Sequence, residues 1–192
     1  MKKKILVILG HPDKESFCGT LARTYIESAR ATGAEVRELL LGELEFDPTL
    51  WKGYNDIQEL EPDLVKAQEL VQWSNHMVFV YPNWWGTIPA LMKGFFDRVF
   101  FPGFAFKYRD DSPLWDKLLT GRTAQLIVTM DTPAWYYRWI YRMPGHNEMK
   151  RTVLGFCDIK VKRITEFATV KDSTPQQREQ WIETVKDLGK RA

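Results

Sequence analysis

Four stretches of this sequence hold residues whose types and spacing suit chemistry. In "GHPDKESFCG" (residues 10–19), a histidine, a serine and a short polar run separate an aliphatic segment from a helical pattern. In "YPNWWGTIPA" (81–90), a proline, an asparagine and two tryptophans precede another helical pattern. "TMDTPAW" (129–135) offers Thr129 and Asp131, and the aromatic run after it leads from Tyr137 to His146 in "PGHNEM". The first stretch suits an anion, because a helix start presents unpaired backbone N–H groups and the positive end of the macrodipole. His11, Ser16 and the amides near Phe17 and Cys18 can wrap a terminal monophosphate without a glycine-rich turn. The second stretch suits a planar heteroaromatic ring, with the paired tryptophans beside it and the turn's backbone groups free to bond it. A phosphate and such a ring are the two halves of a flavin mononucleotide.

Each signal has a structural reading beside the chemical one. Phe17 opens an apolar helical stripe, so its side chain suits the core while its amide serves phosphate. Ser16 suits an N-cap, and the tryptophan pair suits a plug at a sheet's end. Lys93, Asp97 and Arg98 read as a solvated face or an interface, with no role in chemistry.

The elements that would position these residues are legible as a repeating pattern. Apolar runs at 4–9, 34–41, 76–81, 123–130 and 164–170 read as strands, most of them without alternation, as expected for parallel strands covered on both faces. Helical spacing marks 17–31, closed by Gly33, then 63–73, and then 88–99, with Pro89 in its first turn. A further helix is expected near 146–156, and a last one from Thr174, with Pro175 at the first helical position and Gln177 completing a capping box. Residues 42–61 read as an irregular excursion. Strands alternating with helices imply right-handed crossovers and a doubly wound α/β sheet, in which ligands bind beyond the carboxyl ends of the strands. The loops at 10–16, 82–87 and 130–134 all fall there.

The totals bound what else the chain can be. At 192 residues, 44% hydrophobic and 27% charged, residues 1–192 read as one domain with one core. Lys and Arg number 27 against 25 Asp and Glu, a net charge of +2, which argues against nucleic acid as a partner. Cys18 and Cys157 stand far apart with no CxxC and no paired histidines, so neither a disulfide framework nor a metal site is signalled, and a reducing, cytoplasmic setting fits. The start "MKKKILVILG" resembles a signal peptide only briefly before "HPDKE", and no run approaches the roughly 20 apolar residues of a membrane span.

With these residues in hand, the sequence resembles the NAD(P)H:quinone oxidoreductases, DT-diaphorase-like flavoproteins of flavodoxin-like fold. "GHPDKESFCG" resembles the family's His-x4-Ser-Phe-Asn phosphate loop. "YPNWWGTIPALMKGFFDRVF" resembles its Pro-x2-Trp-x3-Pro-Ala-x2-Lys-Gly-x2-[Asp/Glu]-Arg-Val segment, the more specific of the two. The resemblance implies a five-stranded parallel sheet of order 2-1-3-4-5 with helices on both faces, bound FMN or FAD, NAD(P)H as electron donor, a quinone-like acceptor, and a homodimer. It assigns His11, Ser16, Phe17 and Cys18 to the cofactor's phosphate portion and Pro82, Asn83, Trp84 and Trp85 to its ring, with Thr129 and Asp131 in the third loop. Tyr137 and His146 are then candidates to donate a hydrogen bond to a quinone oxygen as hydride arrives. Cys18 stands where the family has asparagine, and "TMDTPAW" replaces its Thr-x-Gly-Gly stretch. The chain also lacks the longer carboxyl-terminal region of the family's FAD-binding members, so FMN is preferred to FAD. Azo-, nitro- and FMN reductases share the scaffold. Some relatives act as ancillary subunits of potassium efflux systems, which makes a membrane transporter an alternative partner.

Overall fold

The computed structural model describes residues 2–56 and 58–192. Five strands, β1 (Lys4–Leu9), β2 (Glu35–Leu40), β3 (His76–Pro82), β6 (Thr123–Met130) and β7 (Lys160–Ala168), form a parallel sheet. Its order is β2-β1-β3-β6-β7, the five-strand arrangement 2-1-3-4-5 expected from the sequence. A two-stranded antiparallel ribbon, β4 (Phe106–Tyr108) with β5 (Trp115–Lys117), lies apart from it.

The apolar runs fail to alternate because both faces of the sheet are covered. Ile5, Val7, Leu9, Val78, Val80 and Ile127 pack under helices α1 (Phe17–Ala31) and α6 (Pro175–Lys190). Leu6, Ile8, Met77, Phe79, Leu126 and Val128 pack under α2 (Pro62–Trp73) and α3 (Ala90–Val99). Successive residues of one strand thus feed opposite halves of the core, as the pleat requires.

The helix boundaries follow local chemistry. Ser16 caps α1 by accepting from the Gly19 amide at 3.2 Å, and Leu21, Tyr25 and Ala29 make its buried stripe. Thr174 and Gln177 form the capping box of α6, with Pro175 in the first turn. In α3 the proline falls one step earlier than expected: Pro89 is the cap, and the helix starts at Ala90.

Three segments depart from the expected pattern. The fifth strand runs 160–168 rather than 164–170, because its amino half, "KVKR", lacks an apolar run yet pairs with β6 all the same. The helix expected at 146–156 is broken into α5 (Pro144–Asn147), a π-turn at Glu148–Val153 and a 3-10 turn at Gly155–Cys157. A short helix, α4 (Ala134–Trp139), precedes it. The third departure is Arg98, which is not on a solvated face but 1% exposed. Its Nη2 donates to the Glu59 carbonyl and to Glu61 Oε2, each at 2.8 Å, and its Nη1 reaches the Asp47 carbonyl. One guanidinium therefore ties the irregular 42–61 excursion to α3. Among the described residues, no helix is long and apolar enough to cross a membrane.

Candidate functional site

At the carboxyl ends of β1, β3, β6 and β7, a cavity of about 210 Å³ opens. His11, Ser16, Phe17, Cys18, Pro82, Asn83, Trp84, Thr129 and Asp131, drawn from three separate loops, all line it. Met130, Val170 and Lys171 complete the wall. Val170 and Lys171 come from the loop after the last strand, which the sequence reading left out. Their signal was available: that loop opens at the same sheet edge and carries a lysine.

The α1 end of the cavity is built for an anion. The Gly19 and Thr20 amides are taken by Ser16, through its side chain and its carbonyl, which leaves the Phe17 and Cys18 amides at the helix start for a ligand. The loop before the helix is held tightly, for a Cβ on Gly19 would fall 1.8 Å from the Lys14 carbonyl oxygen. His11 Nδ1 accepts from the Asp13 amide at 2.9 Å, which leaves the far edge of the ring, Nε2, as the donor. The ring meets Trp84 edge-on, with centroids 5.5 Å apart. Lys171 adds a cation, and its backbone amide donates to Asp131 Oδ1 at 2.7 Å, which locks the last loop to the third.

Cys18 is a packing group here. Its Sγ lies 3.1 Å from Thr129 Oγ1, and burial pushes its thiol up to about 11, so at neutral pH it is protonated and a poor nucleophile.

The opposite wall is the turn Trp84–Thr87, closed by reciprocal backbone hydrogen bonds of 3.1 Å. Its two central residues, Trp85 (φ 53°) and Gly86 (φ 83°), both take the left-handed conformation of a type I′ turn. That twist separates the tryptophans: Trp84 lines the cavity, whereas Trp85 stands outside it, fully exposed. Asn83 is held by its amide, which donates to the Thr129 carbonyl at 2.7 Å, and its Oδ1 is buried with no partner.

Tyr137 and His146 do not open into the cavity. They are buried, at 1% and 5% exposure, behind the turn. The Tyr137 hydroxyl, which burial keeps protonated by raising its pKa, donates to the Gly86 carbonyl at 3.1 Å and accepts from the Gly145 amide at 3.1 Å. His146 Nδ1 lies 3.2 Å from the same hydroxyl, and its Nε2 lies 3.0 Å from Glu166 Oε1. Glu148 adds a bond from the Thr87 hydroxyl. Side chains from α4, α5 and β7 thus form a relay whose end point is the backbone of the turn.

Comparison with known proteins agrees with this architecture. A family model described as flavodoxin-like fold matches residues 3–188. The chain is 25% identical over 224 aligned positions to ribosyldihydronicotinamide dehydrogenase [quinone] of Rattus norvegicus, covering 98% of this chain and 93% of that protein. NAD(P)H:quinone oxidoreductase from Methanothermobacter marburgensis superposes with a TM-score of 0.79 at 19% identity, covering 99% of this chain and 98% of the other. An FMN-dependent NADH-azoreductase from Bacillus anthracis, solved in complex with FMN, superposes with a TM-score of 0.71 at 20% identity, with 98% of each chain covered. With the sheet order, the switch-point cavity and the family match in accord, the chain belongs to the flavodoxin-like fold family.

Proposed function

We propose that this protein is an NAD(P)H-dependent flavin oxidoreductase of the quinone-reductase type, with FMN held across the cavity. The observation that carries the reading is that the open helix-start amides of Phe17 and Cys18 share one cavity with the flat side chain of Trp84. The helix-start amides of Phe17 and Cys18, with Ser16 before them, make the place in this cavity where a phosphate would sit, and Lys171 adds a cation to the same lining.

When bound, FMN supplies a ring that accepts hydride from a nicotinamide and passes it to a quinone-like acceptor. The chain's own part is binding and orientation. Ser16, Phe17 and Cys18 fix the anionic end, while Trp84, backed by His11, gives the ring a flat neighbour. The Tyr137–His146–Glu166 relay holds the Trp84–Thr87 turn so that the wall is set before substrate arrives. The quinone-directed dehydrogenase among the relatives supports the acceptor class, and the FMN-bound structural neighbour supports FMN over FAD. Azo compounds are the second acceptor class to test, on the strength of that same neighbour.

The proposed molecule is a cytoplasmic homodimer. Trp85, Trp135, Trp139, Ile140 and Tyr141 are all exposed around the turn and α4, an apolar surface of the kind that a second copy covers.

The test is direct. Purified protein is expected to carry or take up FMN, to lose its yellow colour with NADH or NADPH under anaerobic conditions, and to regain it with menadione. Ser16→Ala and Asn83→Leu are each expected to weaken FMN retention about tenfold or more. A protein that takes up no flavin, or unchanged retention in both variants, overturns the reading.

A further inference from the structure

The opposite end of the sheet carries a second built cavity. It measures about 360 Å³ and opens at the amino ends of the strands, beneath the end of α6. Alternation places its floor on the face that α1 and α6 cover. Lys3, His76 and Gln125 each stand two residues before a core residue of that face, namely Ile5, Val78 and Ile127. The apolar row therefore ends in a polar one.

Four cations line the cavity, Lys3, Lys162, Arg163 and Arg191; no acidic side chain among the described residues does, although Ala192, which carries the terminal carboxylate, is part of the lining. None of the four takes part in a side-chain hydrogen bond or ion pair among the described residues, whereas many of the molecule's other lysines and arginines are paired. Lys162 and Arg163 are consecutive, and in a regular strand they would point to opposite faces. A register shift in the β6–β7 ladder between Ala124 and Gln125, whose partners are Val161 and Arg163, leaves Lys162 as the extra residue of a bulge. Both side chains thereby reach the same cavity, which is how bulges commonly re-aim a strand. The second observation is Gln125. It is 7% exposed, lines the cavity, and its Nε2 is buried with no acceptor. Against four cations the lining sets one carboxylate, that of Ala192, so its net charge stays positive, and the buried Gln125 amide donor has no acceptor. Burial also holds the Lys3 ammonium below its usual value, the mark of a cation partly stripped of water with nothing to offset it.

We propose that this cavity binds a small multivalent phosphate, of the pyrophosphate or phosphate-ester type, with the Gln125 amide and the cations of Lys162 and Arg163 as its main contacts. Arg favours phosphate through paired N–H donors, and walls of net positive charge in a partly enclosed space concentrate such ligands. Among the described residues no Phe, Tyr or Trp lines the cavity, and its one ring, His76, is buried with Nδ1 2.7 Å from Thr123 Oγ1, so the phosphate groups carry recognition. The site is separate from the flavin cavity: Gln125 and Thr129 lie four residues apart on β6, roughly 13 Å at the strand rise.

Calorimetric titration of FMN-saturated protein with inorganic pyrophosphate, at fixed ionic strength, tests this. FMN keeps the α1 loop occupied, and the variants report on the far end alone, so the result stands apart from that of the flavin reading. One saturable site is expected, with binding weakened at least tenfold in the Lys162→Gln, Arg163→Gln double variant. Gln125→Leu, which removes the donor and keeps the volume, is expected to fold and to lose most of the thermal stabilisation that pyrophosphate confers. A parallel titration with citrate separates phosphate chemistry from general anion binding and should be the weaker. Absence of saturable binding up to roughly 10 mM, citrate binding as tight as pyrophosphate, or binding unchanged in the two sets of variants, overturns the proposal.

Discussion

Asn83 and Glu166 show how differently two polar side chains can serve one site. Asn83 lines the cavity, whereas Glu166 never reaches it and acts through His146 and Tyr137 on the Gly86 carbonyl. The hydrogen bond from His146, together with the nearby charges of His146 and Arg138, holds the Glu166 carboxyl below its usual range, although burial opposes this. The sign of the consequence is set by that direction. A carboxylate with a depressed folded-state pKa stabilises the fold fully above its unfolded value, and the contribution fades as pH falls through the folded value. Glu166→Gln is therefore expected to cost about 1–3 kcal/mol at neutral pH, read by thermal or urea unfolding, and the gap to the parent should close below about pH 4. A gap that persists unchanged into acid would show that the relay is held by packing rather than by this charge. Single residues also mark where spacing misleads: Trp85 holds the motif's tryptophan position and Trp84 an unspecified one, yet the left-handed turn sends Trp84 to the cavity and Trp85 to solvent.

At the scale of elements, the excursion at 42–61 hangs on α3 through Arg98. Its guanidinium is buried and satisfies two backbone carbonyls and the Glu61 carboxylate at once. Arg98→Met keeps much of the volume and leaves those acceptors without a donor, which is expected to cost about 3 kcal/mol or more and to lower Tm by roughly 6–12 °C. Limited trypsin digestion should then cut first at Lys52, within the excursion, while the parallel sheet stays intact. An unchanged Tm would mean that the excursion is held by its apolar contacts alone. The strands and long helices were readable because burial on two faces or one leaves a period in the sequence. The excursion's anchor was not, since an arginine at the end of an amphipathic helix has the same local signature whether it faces water or a ring of carbonyls. The broken helix at 144–157 was missed for a related reason: "EMKR" at its centre carries helix formers, and the geometry around it is set by Gly145, packed against the turn at Gly86 and Thr87, and by Met143 in a left-handed conformation.

At the scale of the whole molecule, the two ends of one sheet carry opposite characters. Helix starts and loops gather at the flavin end, and unpaired cations gather at the other. The aromatic surface beside the flavin end belongs to the proposed dimer, and it gives a prediction at this scale. Light scattering should report two chains per particle for the parent protein and one for Trp139→Glu, since a charge buried at the centre of an apolar interface costs several kcal/mol. A Trp139→Glu protein that stays dimeric would move the interface elsewhere. The sequence by itself determined the doubly wound sheet, its strand order through family resemblance, the three loops that meet at one edge and most of the residues that line the cavity there. Strand alternation, caps and loop position are local or periodic properties, and these survive in one dimension. Only the tertiary structure decided that Tyr137 and His146 lie behind the wall, that Lys171 joins the site, that Arg98 is buried, and that a bulge turns Lys162 and Arg163 into one cavity with Gln125. Each of these depends on contacts between residues tens of positions apart, or on a one-residue slip in register, and neither leaves a mark in the spacing of residues along the chain.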